Sequence, residues 1–172
     1  MRKLLLLGVS LLAHAGASAD ITGCWISEAG DSVIELRERG GIVEGRVVGL
    51  ERPVFLPEEA RGTPGAPRTD LSNPEAALRA RPIVGLAIVT DLAADGRRWT
   101  GGSVYDPESG NTYSARAELD GDGTLRLRGY VGSPLFGRTT AWTPAAARPM
   151  DVERMLEKAR PFLPAGAARP EC

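Results

Sequence analysis

Histidine is almost missing from this chain. The one copy in 172 residues, His14, lies in an N-terminal stretch that reads as a removable leader. A mature chain without it lacks the side chain that most often moves protons near neutral pH and most often ligates metals. Ser-His and Cys-His nucleophile pairs are excluded with it, and no cofactor or metal is expected. An excess of charge is missing too. There are 21 Lys+Arg against 22 Asp+Glu, and 19 against 22 once Arg2 and Lys3 leave with the leader. Such a chain exerts no strong field, which argues against nucleic acid as a partner. No run is apolar over the roughly 20 residues that a bilayer requires, so no integral membrane segment is expected. Cysteine occurs only twice, as Cys24 and Cys172.

Residues 1–19 have the parts of a secretory signal peptide. Arg2 and Lys3 form a basic start, Leu4 to Ala13 a short apolar run, and Ala17-Ser18-Ala19 a small-residue cleavage site. Cleavage after Ala19 implies a periplasmic or secreted protein. Ile21-Thr22-Gly23-Cys24 also has the residue types of a lipobox, with Asp20 and the upstream cleavage site against it. In an oxidising compartment the two cysteines suggest a Cys24–Cys172 disulfide. A loop that long gives up to about 5 kcal/mol by chain entropy. Two free thiols are the alternative.

The rest divides into 20–144, a β-rich domain, and 145–172, a helix and tail. Glycine at 21 and proline at 13 copies imply many turns, while 42% hydrophobic residues suit a packed core. Period-two alternation places strands at 20–27, 32–38, 42–50, 83–90, 98–105, 112–119, 124–131 and 136–143. Val43, Gly45 and Val47 share a face, as do Tyr113, Ala115, Ala117 and Leu119, and Leu125, Leu127 and Gly129. Turn signals lie between them at Gly40-Gly41, Asp95-Gly96, 106–110 and 120–123. About eight short strands in a meander describe an all-β, up-and-down antiparallel barrel. Residues 51–82 interrupt it with six prolines, none suited to a central strand. Within this connection, Asn73-Pro74-Glu75 reads as the start of a short helix through about Arg79. A second helix is expected over 151–160, with Val152, Met155 and Leu156 on one face.

Few motifs carry chemistry. Glu118, Asp120, Asp122 and Gly123 match half of a calcium loop, but its twelfth position is Gly129 and both flanks read as strands, so a hairpin turn is expected. Gly102-Ser103 and Gly132-Ser133 lack a nucleophile frame. Asp70, Asp106 and Glu108 are the residues for a carboxylate-dependent hydrolase, yet no spacing holds any two on one surface. Asp106 suits a turn before Pro107, and Asp70 suits an ion pair with Arg79 or Arg81.

Gly23-x-Trp25 on the first strand resembles the lipocalin signature, in which the Trp closes one barrel end and an Arg packs across it. Arg138 is the candidate partner, and Trp142 is a second barrel-closing residue. Larger segments resemble a family of exported bacterial proteins, domain-of-unknown-function family 2147. They are Asp70-x-x-Asn73-Pro74, Arg79-x-Arg81-Pro82, Trp99-Thr100-Gly101-Gly102, Tyr105-Asp106-Pro107-x-x-Gly110-x-x-Tyr113, Arg128-Gly129-Tyr130-x-Gly132 and Phe136-Gly137-Arg138-Thr139-x-x-Trp142. One departure is Pro144, where a basic residue is expected. The resemblance implies a calycin-type, lipocalin-like barrel in the cell envelope or outside the cell, and no established reaction.

Together these readings lead to a non-catalytic barrel that binds a small hydrophobic or amphipathic, fatty-acid-like molecule. Inward small residues at Gly45, Gly101, Ala115, Ala117 and Gly129 leave room for it. Trp99, Tyr105 and Tyr113 line the cavity, Arg138 faces an acidic headgroup, and 51–82 covers the mouth. A competing reading is an envelope interaction module that uses 51–82 or an unpacked Met155/Leu156 helix face.

Overall fold

The computed structural model describes residues 20–172; the expected leader, its cleavage site and His14 lie outside the described residues. Eight antiparallel strands form a closed barrel in chain order. They are β1 (Gly23–Ile26), β2 (Ser32–Arg39), β3 (Ile42–Leu50), β4 (Ala87–Asp95), β5 (Arg98–Asp106), β6 (Asn111–Leu119), β7 (Leu125–Tyr130) and β8 (Arg138–Pro144). Pairing of β1 with β8 closes the ring through Trp25↔Pro144 and Ile26↔Thr143. Closure over these two positions leaves no strand at the edge of an open sheet, although further along β8 the Ala141 amide donates to the Glu28 carboxylate instead of to β1.

The alternation in the sequence becomes the two faces of this wall. Val43 and Val47 are buried while Glu44 and Arg46 are exposed. Ala115 and Ala117 face a core that contains Leu36, Val89, Leu92, Leu125 and Leu127. One inward assignment shifts. A bulge between Trp99 and Gly102 turns Gly101 outward and Gly102 inward. Gly101 takes a φ of 78°, while a Cβ on Gly102 would collide with Leu92 and the Thr90 carbonyl.

The fourth strand begins at Ala87, not Ile83. The Ile83 amide donates to the Arg68 carbonyl at 2.9 Å and so belongs to the connection. The eighth begins at Arg138 because residues 134–136 form a 3₁₀ turn. In the connection the expected helix is one 3₁₀ turn, Ala76–Leu78. Asn73 is not its cap: its Oδ1 accepts from the Glu75 amide at 2.9 Å in a local turn before the helical residues.

The C-terminal helix α1 (Pro149–Ala159) docks on the outer wall. Met155 and Val152 pack against Cys24, Ile26, Val33 and Val48. This face is therefore consumed by the fold, and the helix-face interaction reading falls with it. Glu51, at the end of β3, accepts from Lys158 Nζ at 2.7 Å and Arg154 Nε at 3.1 Å. The tail then returns to the first strand. Glu35 Oε1 accepts from the Glu171 amide at 2.7 Å, and Cys172 is disulfide-bonded to Cys24 with a Cα–Cα distance of 5.2 Å. The Cys24 sulfur is committed to that bond, which rules against the lipidated alternative. No helix of the described residues is long and apolar enough to cross a membrane.

Candidate functional site

The two ends of the barrel differ in what closes them. One end has the turns Gly40-Gly41, Gly96-Arg97 and Asp120–Thr124. Trp25, Trp99 and Trp142 all lie on inward positions near it, opposite Ile34, Ala117 and Leu125 respectively. All three are buried, and the Trp25 indole donates to the Ile21 carbonyl at 2.9 Å. Trp25 and Trp142 are buried at this end. Trp99 shares that plug and is taken up by the core instead of lining a ligand space.

The other end is the mouth. Its connections are 27–31, 51–86, 107–110 and 131–137. The long connection crosses it as two ordered folds of chain. Val54 bridges Pro67 and Thr69 bridges Pro82, with prolines serving through carbonyls: the Arg68 amide donates to Pro53 at 2.8 Å. Phe55 is buried beneath the Arg68 guanidinium, 5.2 Å from its ring centre, and Arg68 pairs with Glu59. That pairing holds the Glu59 carboxyl below the usual carboxylate range.

A polar latch fastens the second fold to the outside of β5. Asp70 is fully buried. Its carboxylate accepts from the Tyr105 hydroxyl at 2.6 Å, from Asn73 Nδ2 at 2.8 Å and from Arg81 Nε at 2.8 Å. The Arg81 guanidinium also covers the Tyr105 ring at 5.4 Å. Burial, reinforced by the adjoining Asp70 carboxylate, raises the Tyr105 hydroxyl above the ordinary phenol range. Of the two partners open to Asp70, Arg81 takes the carboxylate, and Arg79 Nε donates to the Asn73 carbonyl at 2.7 Å. The β5–β6 turn supports the same segment, since any Cβ on Gly110 would run into the Ser72 carbonyl.

Between this cover and the barrel rim lies an open cleft of about 540 Å³. Its apolar lining is Val47 and Leu50 from the inner wall and Phe55 and Ile83 from the connection. Arg61 and Arg68 stand at its polar side, with Asp31, Glu59 and Glu108. Arg61 Nη2 donates to the Leu71 carbonyl at 2.9 Å, which ties this arginine to the cover.

The residues expected at a ligand do not meet there. Among the described residues that line the cavity, Trp99, Tyr105, Tyr113 and Arg138 are absent. Tyr105 pairs with Thr112 on the outward face, because Gly102 and Val104 take the inward positions on either side of Ser103. Tyr113 is inward and half-buried, packed where Gly129 leaves space. Arg138 starts β8 at the mouth, whereas Trp25 pairs with Pro144 six residues further on. That is about 20 Å along a strand, too far for the expected stack. The inward glycines do not leave the expected room either. A Cβ on Gly45 would press on Leu36 and Val89, and one on Gly129 on Val104 and Tyr113. Of the lining residues, alternation places Val47 on an inward face, but nothing in the sequence pattern marks Leu50, Phe55 or Ile83 individually. Leu50 and Ile83 flank the proline-rich stretch, and that adjacency was the available signal.

The carboxylates are similarly committed. Asp70 is enclosed by its three donors, and Asp106 accepts from the Glu108 amide at 3.0 Å and Ser109 Oγ at 2.6 Å within its own turn. Asp120–Thr124 is a hairpin turn in which Asp122 accepts from the Thr124 amide at 2.9 Å.

A closed, meandering eight-stranded barrel with one helix on its wall defines the lipocalin-like class of β-barrels. Within that class the chain belongs to the family described as "Uncharacterized protein conserved in bacteria (DUF2147)", which matches residues 23–144. Among solved structures it is similar to protein HP1028 from Helicobacter pylori, described as belonging to the lipocalin family. The TM-score is 0.58 at 21% identity, over 74% of this chain and 84% of that one. At that identity the likeness concerns the fold alone. No curated protein matches the chain in sequence.

Proposed function

We propose that this is a non-catalytic, exported barrel that binds a small amphipathic molecule at its mouth. The cavity beneath the 51–86 connection carries the reading. Its volume of about 540 Å³ lies in the range of small-molecule sites, roughly 300–1,000 Å³. Val47, Leu50, Phe55 and Ile83 suit an apolar body, and Arg61 and Arg68 suit a polar or acidic head. In this reading the head is met by Arg61 and Arg68 in place of Arg138. Export after Ala19 is supported by the disulfide, which persists in oxidising compartments.

The first test is the mass of the exported protein from its own host under native and then denaturing conditions. A discrete excess lost on denaturation is expected, and its mass names the ligand class. Displacement of a fluorescent fatty acid follows, with Leu50→Glu expected to weaken binding about tenfold or more by placing a charge against the apolar body. The reading fails if no excess mass appears and no saturable binding is found across fatty acids, bile-salt-like amphiphiles and haem.

A further inference from the structure

The connection between β7 and β8, residues 131–137, exposes the largest apolar side chains at the mouth. Val131 is 71% accessible, Leu135 83% and Phe136 84%. Sequence alternation places Phe136 in the last strand, where one face of it would be buried. Instead the turn holds it outward, and the turn is well built. Ser133 Oγ accepts from the Leu135 amide at 3.3 Å. Arg128 reaches under the loop, donating to the Pro134 carbonyl at 2.6 Å, the Leu135 carbonyl at 3.3 Å and Thr139 Oγ1 at 2.9 Å. Gly137 closes the turn, since a Cβ there would strike the Gly129 carbonyl and the Tyr130 side chain. Proline at 134 further restricts the backbone. Four hydrogen bonds and these steric restraints therefore fix a Leu-Phe pair in water, an arrangement that hydrophobic collapse of a loose loop would avoid.

We propose that this tip is an interfacial anchor by which the barrel mouth docks on a phospholipid bilayer. Two observations select lipid over a protein surface. The side chains project almost fully, so they have few neighbours of their own to form a flat, packed patch; a fluid medium can surround such a tip, whereas a rigid partner would need a matching socket. The next exposed residue is a cation: the Arg138 side chain is 84% accessible, with Glu28 Oε2 at 3.6 Å as its ion-pair partner. An apolar wedge flanked by an extended guanidinium matches the boundary between acyl chains and headgroup phosphates. The tip lies at the same end as the cavity, so docking would set the mouth toward the membrane. The inference goes beyond the ligand reading and is tested without any ligand.

The experiment is flotation of the full mature protein with vesicles of phosphatidylcholine and phosphatidylglycerol, beside the variants Leu135→Ser/Phe136→Ser and Arg138→Gln. All three positions are exposed, so both variants should retain the unfolding curve of the parent. Vesicle binding by the parent, reduced about tenfold or more in the double variant and less in Arg138→Gln, is the expected result. Phe136→Trp provides a second readout. Trp25, Trp99 and Trp142 are buried far from the lipid, so a blue shift on adding vesicles would come from the introduced indole. No flotation by the parent, flotation unchanged by the double variant, or a concentration-dependent dimer that the double variant abolishes would each overturn the proposal; the last would make a second copy the partner. Absence of a ligand mass with vesicle binding intact would count against the cavity reading alone.

Discussion

Trp25, Trp99 and Trp142 plug one end of this barrel from inside, and turns of two, two and five residues join its strands there. The opposite end is covered from outside by the 51–86 connection, which rests on Phe55, on the Asp70 latch and on the Ser72–Gly110 contact. The first end is sealed by apolar volume, which has no alternative arrangement without opening a void. The second is sealed by hydrogen bonds and ion pairs, several of them half-exposed. A cover held that way can open locally without unfolding the barrel. The cavity lies at the end whose seal is polar.

The largest way to break this contrast is at the plug. Trp142→Ala or Trp99→Ala should remove about 3–5 kcal/mol, as large aromatic deletions in cores do. Urea unfolding measures it, and Phe55→Ala at the mouth should cost clearly less. Equal losses at both ends would erase the distinction. Next comes the disulfide. Cys172→Ser should cost about 2–4 kcal/mol and free the tail from Glu35 while leaving the plug intact; proteolysis of 163–172 reads the release.

Asp70→Asn should follow at about 2–3 kcal/mol, because Arg81 and Tyr105 lose a charged acceptor in a buried setting. Hydrogen exchange is the sharper readout here. Amides of 69–83 should speed up while those of β1 and β8 near Trp25 stay protected. Tyr105→Phe, which removes one donor from the same carboxylate, should cost about 1 kcal/mol.

The smallest effects are those of pH, and their signs differ between elements. Glu51 is held low by hydrogen bonds from Lys158 and Arg154, and Asp151 by Arg154 and Arg148. A lowered carboxylate stabilises the fold above its unfolded value, and the contribution fades as pH falls through the folded value. The α1 clamp should therefore loosen in acid, below about pH 4. Tyr105 is raised, so its contribution is complete below the unfolded phenol value and is lost as pH rises toward the folded one. The latch should loosen in alkali, above about pH 10. Exchange rates of the helix and of 69–83, followed across both limits, would show whether the two respond separately.

Much of the fold was legible because strand alternation is local. Val43, Gly45, Val47 and the Tyr113–Leu119 face follow directly from period two, and compartment and count suggest the Cys24–Cys172 bond that the structure contains. The misreadings share a cause. The bulge at Gly101-Gly102 slips the inward face by one residue, and no local pattern announces it. Arg138 was assigned to Trp25 although the two lie at opposite ends, because sequence shows that strands pair but not where along the barrel each residue falls. Tyr105 was read as cavity lining, yet its hydroxyl serves Asp70, thirty-five positions earlier.

By itself, then, the sequence determined the class of architecture, the number and order of strands and the presence of a C-terminal helix, and it offered a Cys24–Cys172 disulfide beside two free thiols. These depend on periodicity, turn chemistry and the count of thiols, all of which are properties of short stretches or of composition. Only the tertiary structure decided which end holds the tryptophans, which arginine meets Asp70, and that Leu50, Phe55 and Ile83 share one cavity. Those relations arise when closure of the barrel brings together residues far apart in sequence, and it is packing and hydrogen-bond satisfaction among them that selects the arrangement.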